Sequence, residues 1–216
     1  MRHDLPILYS FRRCPYAIRA RLAIARAGVP VVLREIKLKE KHPAFLAVSP
    51  SGTVPCLDAG DLVIDESLEI MIWALRQRDP DGWLEMPDEG WELIAQFDGP
   101  FKSALDRTKY AVRFEGSDPL VERAKACAIL AELDAKMDDW VFSQASLADF
   151  AILPFVRQFA FINKPMFDAA PLPRIHAWLD RFLNSGAFLN VMQKRAFWRI
   201  EDAPIVFGES VYEHIC

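Results

Sequence analysis

Cys14 is preceded by Arg12 and Arg13 and followed by Pro15, an order of residue types that favours a reactive thiol. Pro is favoured at the first position of a helix, which puts Cys14 at or near the N-cap. A thiol there faces unpaired backbone N–H groups and the positive end of the helix dipole. Both favour the thiolate, the nucleophilic form of cysteine, and the two neighbouring guanidiniums would add to the effect. A buried, inert thiol is the commoner fate of the residue. Cys14, however, stands between a strand and a helix, where side chains point out of the sheet edge.

Two other short runs carry recognition chemistry. In Thr53-Val54-Pro55 a proline between a loop and a strand can adopt the cis form, exposing the backbone of Val54 for pairing with a peptide ligand. From three residues alone, an ordinary turn proline is the simpler reading. Asp65-Glu66-Ser67 sets an acid and a hydroxyl at a helix start. Such a site binds a carboxylate through helix N–H groups and Ser67, while Glu66 can face an ammonium. A simple N-cap explains the same run.

The elements that must position these groups follow from the residue pattern. Ile7 to Ser10 reads as a strand, and the helix opened by Pro15 carries Ile18, Leu22 and Ala25 on one face and stops at Gly28. Val31 to Ile36 is a β-branched strand, and Pro43 to Val48 a short helix. Cys56-Leu57-Asp58 and Leu62-Val63-Ile64 form a hairpin, and a helix starts at Ser67 with Leu68, Met71, Ile72 and Leu75 on one side. This order is the thioredoxin arrangement over about 80 residues. Asp79-Pro80-Asp81-Gly82 and Met86-Pro87-Asp88-Glu89 hold the turn residues of a linker. Beyond them the apolar period is helical throughout, with a kink expected at Gly99-Pro100. The expected organisation is an α/β thioredoxin-like domain over 1–78, a linker over 79–88 and an all-helical domain over 89–216. The tail from about 201 is expected to pack back on the helices.

Whole-chain properties narrow the class. The 216 residues are 52% hydrophobic and 26% charged, as in an ordinary globular protein. A net charge of -4 argues against a nucleic-acid partner, whose footprint is basic. No stretch approaches the roughly 18 uncharged apolar residues of a membrane span. The opening residues have too short an apolar run for a signal peptide, so a cytoplasmic location is expected. The four cysteines, Cys14, Cys56, Cys127 and Cys216, are widely spaced, which suits free thiols in a reducing compartment.

Taken together, Cys14-Pro15-Tyr16-Ala17-Ile18-Arg19-Ala20-Arg21, Gly52-Thr53-Val54-Pro55 with Leu57, and Asp65-Glu66-Ser67 resemble the glutathione transferase superfamily. The resemblance is to its cysteine-type members, the omega class and related thiol transferases. Leu38-Lys39-Glu40-Lys41 is similar to the omega pattern, and Ser146-Leu147-Ala148-Asp149 resembles the family's capping box, a folding device. The resemblance implies that Cys14 forms a mixed disulfide with glutathione and that Val54 pairs with the cysteinyl backbone of the tripeptide, held by a cis Pro55. It implies that Glu66 and Ser67 hold the γ-glutamyl end and that Lys41 pairs with the glycine carboxylate. Lys39 is an alternative to Lys41, and a solvated charge run is the plain reading of both. Tyr9 and Ser10 would suit Tyr- and Ser-type transferases, but Tyr9 falls inside the strand.

The expected function is glutathione-dependent thiol transfer. Glutathione would be a co-substrate rather than a bound cofactor, and the second substrate an unidentified thiol or electrophile, small-molecule or protein. Conventional conjugation of glutathione to an electrophile and non-catalytic glutathione binding are the alternatives, since a fold does not dictate its chemistry. A homodimer is what the resemblance implies, though some glutaredoxin-like relatives are monomeric. The other residues read as packing: Cys56 and Cys127 as core thiols, Cys216 as an exposed terminal thiol, and His176 as a neighbour of Trp178, with no metal-ligand spacing among the His. Tyr110, Phe114 and Trp198 are candidates to line a substrate pocket, with core packing the better reading of each.

Overall fold

The computed structural model describes residues 5–209; the expectation for Cys216 lies outside them. The chain begins with β1 (Ile7–Ser10), α1 (Pro15–Ala27), β2 (Val31–Glu35), α2 (Pro43–Val48), β3 (Cys56–Asp58), β4 (Val63–Ile64) and α3 (Ser67–Gln77). β1 runs parallel to β2, while β1 with β3 and β3 with β4 are antiparallel. This is the thioredoxin-like sheet that the strand and helix order predicts.

α1 is the centre of this half. Every residue from Ala17 to Ala27 is buried, and α1 packs against α3. Gly28 ends the helix with φ 66°, a left-handed conformation that lets its N–H reach back to the Ala25 carbonyl.

The second half is helical: α4 (Glu89–Gln96), α5 (Lys102–Lys109), α6 (Pro119–Lys136), α7 (Leu147–Ala160), α8 (Lys164–Asp168), α9 (Pro173–Asn184) and α10 (Gly186–Val191). Phe97–Phe101, with Gly99 and Pro100, forms one wide π-helical turn between α4 and α5. Pro100 has no N–H to give the preceding turn, and the widened ladder absorbs the loss. α7 opens on a capping box between Ser146 and Asp149. Asp149 is fully buried and accepts from the N–H groups of Val141 and Ser146, each at 2.9 Å, and from the indole of Trp178 at 3.0 Å. Burial pushes its carboxyl above the usual range, and these donors oppose the shift. Its duty is folding. His176 likewise packs, its ring against Phe167 and its Nε2 at 3.0 Å from the Phe167 carbonyl.

The division of the chain differs from the expected one. The described residues of Met1–Pro80 and Asn184–Cys216 form one compact unit, and Asp81–Leu183 the other. α10 packs on α1, and the tail ends in β5 (Val206–Phe207), which pairs antiparallel with β2 and gives the sheet order β4-β3-β1-β2-β5. The tail therefore covers a sheet edge instead of packing back on the helices. The reason is an unpaired β2 edge, which needs a partner for its backbone groups. Among the described residues no helix is long and apolar enough to cross a membrane.

Candidate active site

Cys14 is the N-cap of α1, with extended backbone and no side-chain bond capping the helix. Its own N–H goes to the Phe11 carbonyl at 3.0 Å, closing the turn that leads from β1 into the helix. Its half-buried Sγ lies 3.6 Å from the Val54 carbonyl oxygen, toward which it donates. The thiol thus sits at the open positive end of a buried helix and beside the backbone of the residue before Pro55. The Val54–Pro55 peptide bond is cis.

Ser67 is the first residue of α3, with Glu66 at its N-cap. Arg19, one turn along α1 from Cys14, donates from Nε to the Ser67 Oγ at 2.9 Å. α1 thereby reaches both other recognition runs: Val54 through Cys14 and Ser67 through Arg19. Ser67 is buried and Glu66 exposed. Lys41 is exposed on the stretch before α2 and lines a cavity of about 660 Å³ with Lys37, His42 and Trp198. Lys37 is paired with Glu40 at 2.8 Å; Lys39 is exposed. The ring of His42 packs edge-on to Trp198, and Trp198 joins a cluster of Tyr9, Ile36, Phe45, Val54 and Cys56, against which Cys14 also packs.

The other residues weighed from the sequence have packing or hydrogen-bonding partners of their own. Tyr9 is buried, its hydroxyl accepting from Arg34 at 2.8 Å, and Ser10 is buried with its Oγ accepting from Arg21. Burial pushes the Cys56 thiol up to about 11 and raises that of Cys127. Tyr110 and Phe114 carry the guanidiniums of Arg113 and Arg107 against their rings. Trp198 packs over Tyr9 and under Arg34, in the unit that holds the sheet. Arg13, expected to aid the thiolate, is exposed with its guanidinium 5.9 Å from the Phe11 ring.

Sequence reasoning assigned no role to Arg19 and Arg21, both buried on α1. Their signal was present: two charges inside a run from Ala17 to Ala25 that is otherwise apolar on every face.

Comparison with known proteins agrees with this geometry. Residues 8–82 match the family model described as the glutathione S-transferase N-terminal domain, and residues 118–181 match that of the C-terminal domain. The chain is 25% identical over 196 residues to glutathione S-transferase L3 of Arabidopsis thaliana, covering 84% of this chain and 79% of the relative. Among solved structures it resembles a glutathione transferase family member from Pseudomonas fluorescens with two glutathione bound. That match has a TM-score of 0.73 and 21% identity, covering 88% of this chain and 92% of that one. A glutathione transferase from Pseudomonas putida, with one glutathione disulfide bound per subunit, matches with a TM-score of 0.72 and 17% identity, over 89% and 93% of the two chains. The sheet with Cys14 at the start of its first helix, the helical half and both family models lead to one assignment: the chain belongs to the glutathione S-transferase superfamily of enzymes.

Proposed function

We propose that this enzyme is a glutathione-dependent thiol transferase whose nucleophile is Cys14. The observation that carries the reading is the Cys14 Sγ at the uncapped start of α1, 3.6 Å from the Val54 carbonyl. The helix N-terminus favours the thiolate. The competing described thiols, Cys56 and Cys127, are both disfavoured as nucleophiles by burial. That a Pseudomonas putida neighbour holds glutathione disulfide supports a site shaped for two sulfurs.

The chemistry balances as two exchanges. The Cys14 thiolate attacks the glutathionyl sulfur of a mixed disulfide, forming a Cys14–glutathione disulfide while the other thiolate leaves and takes a proton from water. A second glutathione, as its thiolate, then attacks the glutathionyl sulfur, giving glutathione disulfide and freeing the Cys14 thiolate. No Cys-x-x-Cys pair accompanies Cys14, so glutathione supplies the resolving thiol and is a co-substrate. Val54 pairs with the cysteinyl backbone beside Pro55, Glu66 and Ser67 hold the γ-glutamyl end, and Lys41 pairs with the glycine carboxylate. The second substrate is a small-molecule or protein thiol or electrophile, and the homodimer expected of the family belongs to the same proposal.

The test is mass spectrometry after treatment with glutathione disulfide, followed by turnover of a small mixed disulfide. A glutathione adduct on Cys14 together with turnover supports thiol transfer. An adduct confined to another cysteine, or conjugation of an electrophile with no disulfide turnover, overturns it.

A further inference from the structure

Arg21 lies two turns along α1 from Cys14 and is buried, yet its guanidinium does not reach for solvent. Nη1 donates to the Ser10 hydroxyl and, at 3.5 Å, to the Phe11 carbonyl; Nη2 donates to the Arg12 carbonyl at 2.8 Å; Nε donates to the Val191 carbonyl on α10 at 3.1 Å. Three of these four acceptors are consecutive residues of the turn that delivers Cys14 to the helix. Glu35 on β2 grips the same turn from the other side, its Oε1 accepting the Arg12 N–H at 2.7 Å.

A buried ion is costly to desolvate, and an apolar residue of similar volume often serves stability as well or better. The sequence neighbours Ala20, Leu22 and Ala23 are buried and apolar, but the Arg21 side chain itself faces one hydroxyl and three carbonyls. What the arginine adds is a rigid fork of donors and a charge that solvent does not screen. Burial lowers its guanidinium to about 10, while Glu35 and Cys14 oppose the drop and Arg195 and Arg12 add to it. Burial likewise pushes the Glu35 carboxyl up, against the Arg12 N–H and the charges of Arg21, Arg12 and Arg195. Arg21 and Glu35 thus meet at Arg12, one on its carbonyl and the other on its N–H, two residues before Cys14, and Arg12 and Arg195 are the further cations that act on both.

We propose that Arg21 is the positioning residue of the reactive thiol: it locks the turn of Ser10, Phe11 and Arg12 that sets Cys14 at the helix start, and its buried charge, shared between Glu35 and Cys14, sustains the thiolate. This rests on the reading above only in taking the Cys14 thiolate as the nucleophile. Glu35 is a second anion at the same turn, so deleting its charge should favour the Cys14 thiolate, just as deleting the charge of Arg21 should disfavour it.

The experiment follows the rate of iodoacetamide alkylation at Cys14 against pH in the full-length protein, reading the Cys14 peptide by mass. Glu35→Gln keeps an acceptor for the Arg12 N–H but deletes the competing negative charge; the inflection should fall by roughly one pH unit. Arg21→Met should raise it by roughly one unit or more, and Arg21→Lys, which restores charge without the fork, should lie between parent and Arg21→Met. Arg21→Met is scored only where its circular dichroism matches the parent; if it does not fold, Arg21→Lys, which lacks the fork, decides, and a parental inflection there overturns the proposal. An inflection in Glu35→Gln that is unchanged or raised overturns the proposal, as does a folded Arg21→Met with the parental inflection. Alkylation needs no glutathione. A parent protein that turns over no disulfide but shows these shifts would sink thiol transfer and leave the role of Arg21 standing.

Discussion

The Nε of Arg19 donates to the Oγ of Ser67 at 2.9 Å, joining α1 to the first residue of α3 from inside the core. Ser67 accepts from this arginine and keeps its hydroxyl proton available, in the proposed function for the ligand carboxylate. Glu66, exposed beside it, has no such internal duty.

That difference separates two substitutions which the sequence treats alike. Glu66→Ala and Ser67→Ala should each weaken glutathione affinity about ten- to a hundredfold, the loss of a hydrogen bond to a charged group worth roughly 1.5–3 kcal/mol. Ser67→Ala should also lower unfolding stability by about 1 kcal/mol or more, because a buried bond to Arg19 is lost. Glu66→Ala should stay within about 0.5 kcal/mol of the parent. Calorimetry and urea melts on the same samples read both quantities. Parental affinity in both variants would place the γ-glutamyl site elsewhere.

Asp149 offers a purely structural contrast. It is fully buried and takes bonds from the Val141 and Ser146 N–H groups, the Ser146 hydroxyl and the Trp178 indole. Asp149→Ala strips the partner from four buried donors at once, and a loss of about 3–5 kcal/mol is expected, shown by a lower urea midpoint with unchanged slope. A parental midpoint would mean that solvent reaches these donors.

Local signals carried the sequence reading furthest. Pro15 after Cys14, the Gly28 stop and the Ser146-Leu147-Ala148-Asp149 cap each lie within one turn of the feature they set, and the structure has all three. The run around Cys14 was legible because strand, thiol and proline are adjacent. Arg19 with Ser67 was not, since the partners are 48 residues apart and no periodicity links them. Arg12 and Arg13 looked like the thiol's cationic neighbours because they are next to it in sequence. The buried guanidinium is that of Arg21, seven residues on, which the curl of the helix brings back under the turn. The tail was misplaced for a related reason: β5 is two residues long, too short for an alternation to show, and only the open β2 edge explains its position.

Gly208 holds that tail. Its φ is +93°, and a Cβ on it would stand 2.3 Å from the Val29 carbonyl oxygen and 3.1 Å from Ile24 Cγ2. The backbone oxygen cannot move aside without disturbing the end of α1. Gly208→Ala should therefore weaken β5 pairing by about 1–3 kcal/mol. Hydrogen exchange at the Leu33 amide, which donates to the Ile205 carbonyl at 2.8 Å, should then speed up by about tenfold or more, while the β1–β2 ladder keeps its protection. Unchanged protection at Leu33 would show that the strand tolerates the side chain by shifting.

The cysteines allow the sharpest separation of mechanisms. Cys14→Ser should abolish thiol transfer, since a hydroxyl cannot form a mixed disulfide. It should leave glutathione binding in place, because a hydroxyl at the start of α1 can still donate toward a glutathione thiolate, and conjugation of an electrophile can persist where glutathione itself is the nucleophile. Cys56→Ser and Cys127→Ser should retain the transfer reaction. Cys56 is fully buried with its thiol pushed up to about 11, so the substitution there should cost about 1–3 kcal/mol of stability from a buried hydroxyl but little turnover. Cys127, only half-buried, should lose less. The assay runs all three variants and the parent on one mixed disulfide and one electrophile, with glutathione affinity measured alongside. Full disulfide activity in Cys14→Ser would refute the cysteine mechanism. Loss of both activities with binding intact would mean that the same thiol, at the open end of α1 and 3.6 Å from the Val54 carbonyl, serves conjugation as well.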